Sequence, residues 1–93
     1  MLQFAFAASF ARSVKGLRPN DKIGIQRQVD AFMLALDARQ IPAGFGLKKL
    51  AASVWEIRTD LALRVIFQWE GDSLTFLLVG NHNEVRQFLK HYG

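Results

Sequence analysis

Cysteine is absent from the 93-residue sequence. That excludes disulfides, thiolate nucleophiles and cysteine-ligated metals, and it fits a reducing, cytoplasmic setting. Low-complexity tracts, long linkers and internal repeats are missing too, so residues 1–93 read as one domain. No stretch approaches the roughly 18 apolar residues of a membrane span, and no membrane association is expected. The apolar start, Met1 to Ala8, lacks the charged flank of a secretory leader, because Arg12 comes only after it. Phe4 and Phe6 alternate with Gln3 and Ala5, which predicts a strand. Metal patterns are equally thin. His82 and His91 have no cluster of carboxylates around them, so neither metal nor other cofactor is expected. The glycines of Ala43-Gly44-Phe45-Gly46 follow a predicted helix, where a phosphate-cradling loop would follow a strand.

Acidic side chains are scarce in the first half. Residues 1–50 carry eight Lys/Arg and three acids, a net of +5, whereas residues 51–93 carry four and five, a net of −1. The whole chain is +4 with a pI near 10.0. A basic half favours a polyanionic partner, held by phosphate contacts and counterion release. Hydrophobic residues make up 51% of the chain, enough for a single small core.

The pattern predicts a first strand, then a short helix capped by Ser9 with Phe10, Val14 and Leu17 on one face. Pro19-Asn20 reads as a turn before a second helix over Asp21 to Arg39, whose Ile25, Val29, Phe32 and Leu36 make one apolar stripe. The loop from Ile41 to Gly46 follows. Three strands come next, Val54 to Arg58, Leu63 to Trp69 and Leu74 to Val79, the last two joined by a hairpin at Glu70-Gly71-Asp72-Ser73. A final helix, capped by Asn83, carries Val85, Phe88, Leu89 and Tyr92 on its apolar face. The order β-α-α-β-β-β-α predicts an α+β domain with two helices on one face of a mainly antiparallel sheet.

Strand alternation sorts the polar candidates. Glu56 and Arg58 share one face of their strand, opposite Trp55 and Ile57. Arg64 shares a face with Ile66 and Gln68, and Phe76, Leu78, Gly80 and His82 follow one parity. Paired guanidinium groups suit a phosphodiester, whose growing transition-state charge they neutralise. Histidine can donate a proton to a leaving 5′ oxygen, and a carboxylate such as Glu56 can take one from a ribose 2′-hydroxyl. Together these groups fit metal-free RNA cleavage that leaves a cyclic phosphate. The structural alternative is that Glu56 and Arg58 are solvated strand charges and that Arg64 pairs with Asp60 or Asp72.

In element order, and best from Leu47 onward, the chain resembles the RelE/ParE superfamily of bacterial toxin–antitoxin toxins. The likeness rests on Leu47-Lys48-Lys49-Leu50, Trp55-Glu56-Ile57-Arg58, Arg64-Val65-Ile66-Phe67 and Val79-Gly80-Asn81-His82. It implies the small RelE-like fold and the toxin of a type II toxin–antitoxin system, an mRNA interferase that cuts messenger RNA on the ribosome and is silenced by a cognate antitoxin in a hetero-oligomer. It further implies that Arg64 acts on the scissile phosphate and that His82 occupies a position used by histidine in YoeB and YafQ types and by arginine in RelE. Arg58 becomes a basic strand residue of the same site and Glu56 a general base. Lys48, Lys49 and Arg86 become RNA contacts, with Tyr92 as a base-stacking aromatic. The ParE branch, which inhibits DNA gyrase by binding and cuts no RNA, is the alternative that the same likeness implies.

Overall fold

The computed structural model describes residues 1–40, 43–59 and 62–92. Short runs rich in β-branched and aromatic residues produce β1 (Gln3–Phe6), β3 (Val54–Arg58), β4 (Arg64–Glu70) and β5 (Ser73–Gly80), and a two-residue edge strand, β2 (Lys48–Lys49), adds to them. They form one sheet in the order β1-β5-β4-β3-β2, antiparallel except for the β1–β5 pair. Helices α1 (Ala8–Lys15) and α2 (Pro19–Asp37) cover one face, and α3 (His82–His91) packs on the other. This is the α+β arrangement the sequence predicts, with β2 as an added strand and a 3₁₀ turn at Ala43–Phe45 where a plain loop was expected. Ile41 and Pro42, the start of that expected loop, lie outside the described residues.

The main core fills the space under α1 and α2. Phe32, Phe67 and Phe76 are fully buried there, each worth roughly 1.5–3 kcal/mol over the exposed side chain. The stripe Ile25, Val29, Phe32 and Leu36 of α2 is buried as its spacing predicts. Pro19 begins this helix and does not form a turn before it, because the first helical N–H has no partner to lose. The helix also stops short of Arg39, which takes a left-handed φ of 56°. Its N–H donates to Leu36 C=O at 3.0 Å, and that of Gln40 to Ala35 C=O at 2.8 Å, the pair of hydrogen bonds that closes a helix C-terminus.

Ser9 does not cap α1. The cap position is Ala7, which makes no side-chain bond, and Ser9 sits inside the helix. Its hydroxyl donates to Leu77 C=O, while Ser13 Oγ accepts from Val79 N–H at 2.9 Å. The reason lies in the sheet. β1 pairs with β5 only as far as Phe76, and α1 supplies partners for the β5 edge beyond that point.

The expected parity of β5 also breaks. Phe67 pairs with Phe76 and Ile66 with Leu78, so Leu77 is an extra residue in a bulge. Phe76 and Val79 therefore both face the main core, and Leu77 and Leu78 both pack in the smaller cluster under α3 with Val54, Ile66 and Val85. Helix α3 starts two residues earlier than expected. Asn81, not Asn83, is its cap. Asn81 Oδ1 accepts from Glu84 N–H and Glu84 Oε1 accepts from Asn81 N–H, both at 2.9 Å. Gly80 permits this entry, since a Cβ there would lie 2.9 Å from Glu84 Cβ.

Candidate functional site

On the face that α3 covers in part, β3 ends at Arg58 beside the start of β4 at Arg64, and the two are direct register partners. Residues directly opposite one another project to the same side, so the two guanidinium groups leave the sheet together. β5 returns beside β4 with Gly80 opposite Arg64, and two residues later His82 opens α3. The result is an open cleft of about 520 Å³ lined by Arg58, Arg64, Thr59, Asn81, His82 and Asn83 among others. Residues distant along the chain thus share one wall.

The distances define a network. Arg64 Nη1 lies 2.8 Å from His82 Nδ1. Arginine has only donors, so Nδ1 accepts and the imidazole proton resides on Nε2. The same Nη1 is 3.7 Å from Glu56 Oε1, and Arg58 Nε is 3.4 Å from Glu56 Oε2. Glu56 is 1% exposed, against 23% for the Arg64 side chain and 56% for that of Arg58. The carboxylate lies beneath the two guanidinium groups and is the one buried charged side chain among the described residues. Its Oε1 has no hydrogen-bond partner there.

This arrangement differs from a row of solvated strand charges. Glu56 is buried, and Arg64 pairs with Glu56 and His82. Asp72, one of the alternative partners, sits in the β4–β5 turn at the other end of β4, and Asp60 lies outside the described residues. Burial also changes what Glu56 can do. A general base must meet the ribose hydroxyl, and these oxygens are shielded from the cleft. Sequence alternation could not reveal that, because it puts Glu56 and Arg58 on the same face without showing how deep each lies.

The remaining candidates divide. Lys48 stands opposite Glu56 in register and so projects to the cleft side. Lys49 projects to the other side, with Nζ 5.5 Å from the centroid of the Trp55 ring. Arg86 is exposed one turn after His82 on α3, the spacing that puts both on one helix face. Tyr92 is not in the cleft. Its ring stacks on Phe88 at 5.3 Å and its hydroxyl donates to Gln68 Oε1, four residues along β4 from Arg64. At about 3.4 Å per residue that is roughly 14 Å away, so the ring ties α3 to the sheet. Asn81 and Asn83 line the cleft and were not singled out from sequence. The Asn81-x-x-Glu84 spacing was the available signal for the first of them.

No family model and no curated protein sequence matches the chain. Solved structures do. The fold is similar to the Escherichia coli DinJ–YafQ complex, with TM-score 0.71 and 14% identity, covering 91% of this chain and 98% of that one. The RelB–RelE antitoxin–toxin complex from Methanococcus jannaschii aligns with TM-score 0.68 and 15% identity over 90% of this chain and 96% of that one. The YoeB dimer from Staphylococcus aureus aligns with TM-score 0.67 and 14% identity over 87% and 97%.

Proposed function

We propose that this chain, whose fold is that of RelE-, YafQ- and YoeB-type toxins, is the toxin of a type II toxin–antitoxin pair and cleaves messenger RNA on the ribosome. The observation that carries the reading is the Arg64–His82 contact of 2.8 Å on the wall of an open cleft that Arg58 also lines. Two guanidinium groups beside an imidazole suit a phosphodiester in the act of breaking.

In this reading the ribose 2′-oxygen attacks phosphorus and its proton leaves to water. The new P–O2′ bond forms as the P–O5′ bond breaks, which gives a 2′,3′-cyclic phosphate. Arg64 and Arg58 hold the non-bridging oxygens and offset their growing charge. The 5′-oxygen takes its proton from the imidazolium form of His82. Lys48 and Arg86 hold flanking phosphates. No metal enters any step.

The fold's relatives include complexes with antitoxins, RelB–RelE and DinJ–YafQ. We extend that to a cognate antitoxin for this chain, an acid-rich segment laid across the basic surface. Induced expression followed by mapping of message 5′ ends, with and without translation, tests the nuclease. New 5′ ends that appear only during translation and vanish in Arg64→Ala are the expected result. Intact messages in cells arrested with a DNA-damage response would replace the reading with the gyrase-binding one.

A further inference from the structure

One oxygen buried behind the cleft wall is out of place. Glu56 Oε1 is buried and has no hydrogen-bond partner among the described residues, yet it lies 3.7 Å from Arg64 Nη1. That gap is under an ångström longer than a charge-assisted N–H···O bond, typically about 2.8 Å. Nη1 gives one of its two N–H groups to His82 Nδ1, and in that position it stands beyond bonding distance of Oε1. A buried acceptor left unsatisfied costs roughly 1–3 kcal/mol, so Arg64 has a second seat waiting. The first seat holds only while Nδ1 is unprotonated, since an imidazolium has no acceptor.

We propose that Glu56 is a positioning residue that couples the protonation of His82 to the seat of Arg64. When Nδ1 takes a proton from solvent, Nη1 gives up that bond and moves onto Glu56 Oε1. The buried oxygen gains its partner, and the guanidinium is never left without an acceptor. An anion in the cleft favours imidazolium and therefore favours the second seat. This deepens the reading of the cleft as a phosphodiester site: the group that must donate a proton is charged when the phosphate arrives.

Among the described residues, the charged groups around the imidazole are few. From the sheet they are Arg64, with Glu56 and Arg58 behind it. On α3, Glu84 Oε1 is engaged by the Asn81 N–H, and Arg86 lies one turn further on. A simple through-space effect of the Glu56 charge on His82 is the competing explanation, and a double-mutant cycle separates the two.

The measurement is the imidazole nitrogen NMR titration of His82, made in a His91→Gln background so that a single histidine reports. At high pH the free protein is expected to show the Nε2–H form. Glu56→Gln is expected to lower the His82 midpoint, because a neighbouring negative charge is removed. In Arg64→Gln protein the same change at Glu56 is expected to move the midpoint by less than half as much, because the relay is gone. Equal shifts in both backgrounds, no shift in either, or an Nδ1–H form in the free protein would overturn the coupling. Glu56→Asp, which keeps the charge on a shorter arm, is expected to fall between wild type and Gln, and it serves if Gln impairs folding. A 2′-deoxy oligonucleotide, which has no attacking hydroxyl, is the anionic probe and is expected to raise the wild-type midpoint. Failure of that probe to bind would count against the proposed nuclease cleft and leave the coupling to be decided by the free-protein titrations.

Discussion

At the scale of single residues, the site is a balance between two like charges and one buried carboxylate. Arg58 and Arg64 are directly opposite each other across β3 and β4, a placement that is destabilising for like charges. Glu56, two residues before Arg58 and on the same face, puts an oxygen toward each of them. Glu56→Leu removes that screen and is expected to cost roughly 1–3 kcal/mol in urea unfolding, below the full value for a broken buried pair because the Arg58 side chain is more than half exposed. An unchanged unfolding midpoint would mean that the guanidinium groups relax into solvent at no cost. His82 is a different case. It is exposed and opens a helix, so His82→Gln should leave stability within about 0.5 kcal/mol. Cleavage is expected to slow by roughly 10²–10⁴-fold, the usual contribution of a positioned general acid. A variant that cuts at the wild-type rate would remove His82 from the chemistry.

Among elements, the C-terminal end of β5 decides where His82 points. β5 carries its bulge, ends at Gly80 and passes into α3 through the Asn81–Glu84 capping box. Any Cβ at residue 80 would sit 2.9 Å from Glu84 Cβ, so Gly80→Ala must push the first turn of α3 aside. The expected cost is roughly 1–3 kcal/mol, with cleavage lost beyond what the stability change explains. Asn81→Ala, which removes the cap without a clash, is expected to cost about 1 kcal/mol. Thermal unfolding of the two variants side by side distinguishes crowding from capping. The α2 terminus offers the opposite sign. Arg39 holds a left-handed φ of 56°, where glycine is at ease, and Arg39→Gly is expected to stabilise the fold by about 0.5–1 kcal/mol.

These elements also mark what the sequence could reveal. Alternation along β4 sets Arg64 on one face with Ile66 and Gln68, and the register agrees, with Val65 and Phe67 in the main core on the opposite face. The stripe on α2 was legible for the same reason: period and burial are local. The bulge at Leu77 was not, because it is defined by pairing with β4. Ser9 looked like a cap because the hydroxyl of a serine near a helix start is indistinguishable, in one dimension, from a hydroxyl that serves a distant strand edge. The burial of Glu56 was hidden in the same way. Its face was readable, but its cover comes from contacts across the sheet.

For the molecule as a whole, the basic excess matters only through the side it occupies. The register divides β2 between two surfaces: Lys48 shares the cleft face with Glu56, and Lys49 leans over Trp55 on the other. Charge counting treats these neighbours as equal, whereas geometry does not. If single-stranded RNA lies along the cleft, Lys48, Arg58, Arg64 and Arg86 are the groups within its track. Four phosphate contacts imply that log K falls against log salt with a slope near −3 for a single strand. Lys48→Ala should reduce that slope by about 0.7 and weaken binding of an uncleavable oligonucleotide at low salt. Lys49→Ala removes the same formal charge from the same two-residue strand, but from the far side of the sheet. Its slope is expected to stay at the wild-type value, with only a small general weakening as net charge falls. Fluorescence anisotropy over a range of salt concentrations measures both. Equal slopes for the two variants would mean that the strand is bound by overall charge and not along the face that carries Arg64 and His82. A larger loss for Lys49→Ala would move the RNA track to the tryptophan side of the sheet and separate it from the cleft altogether.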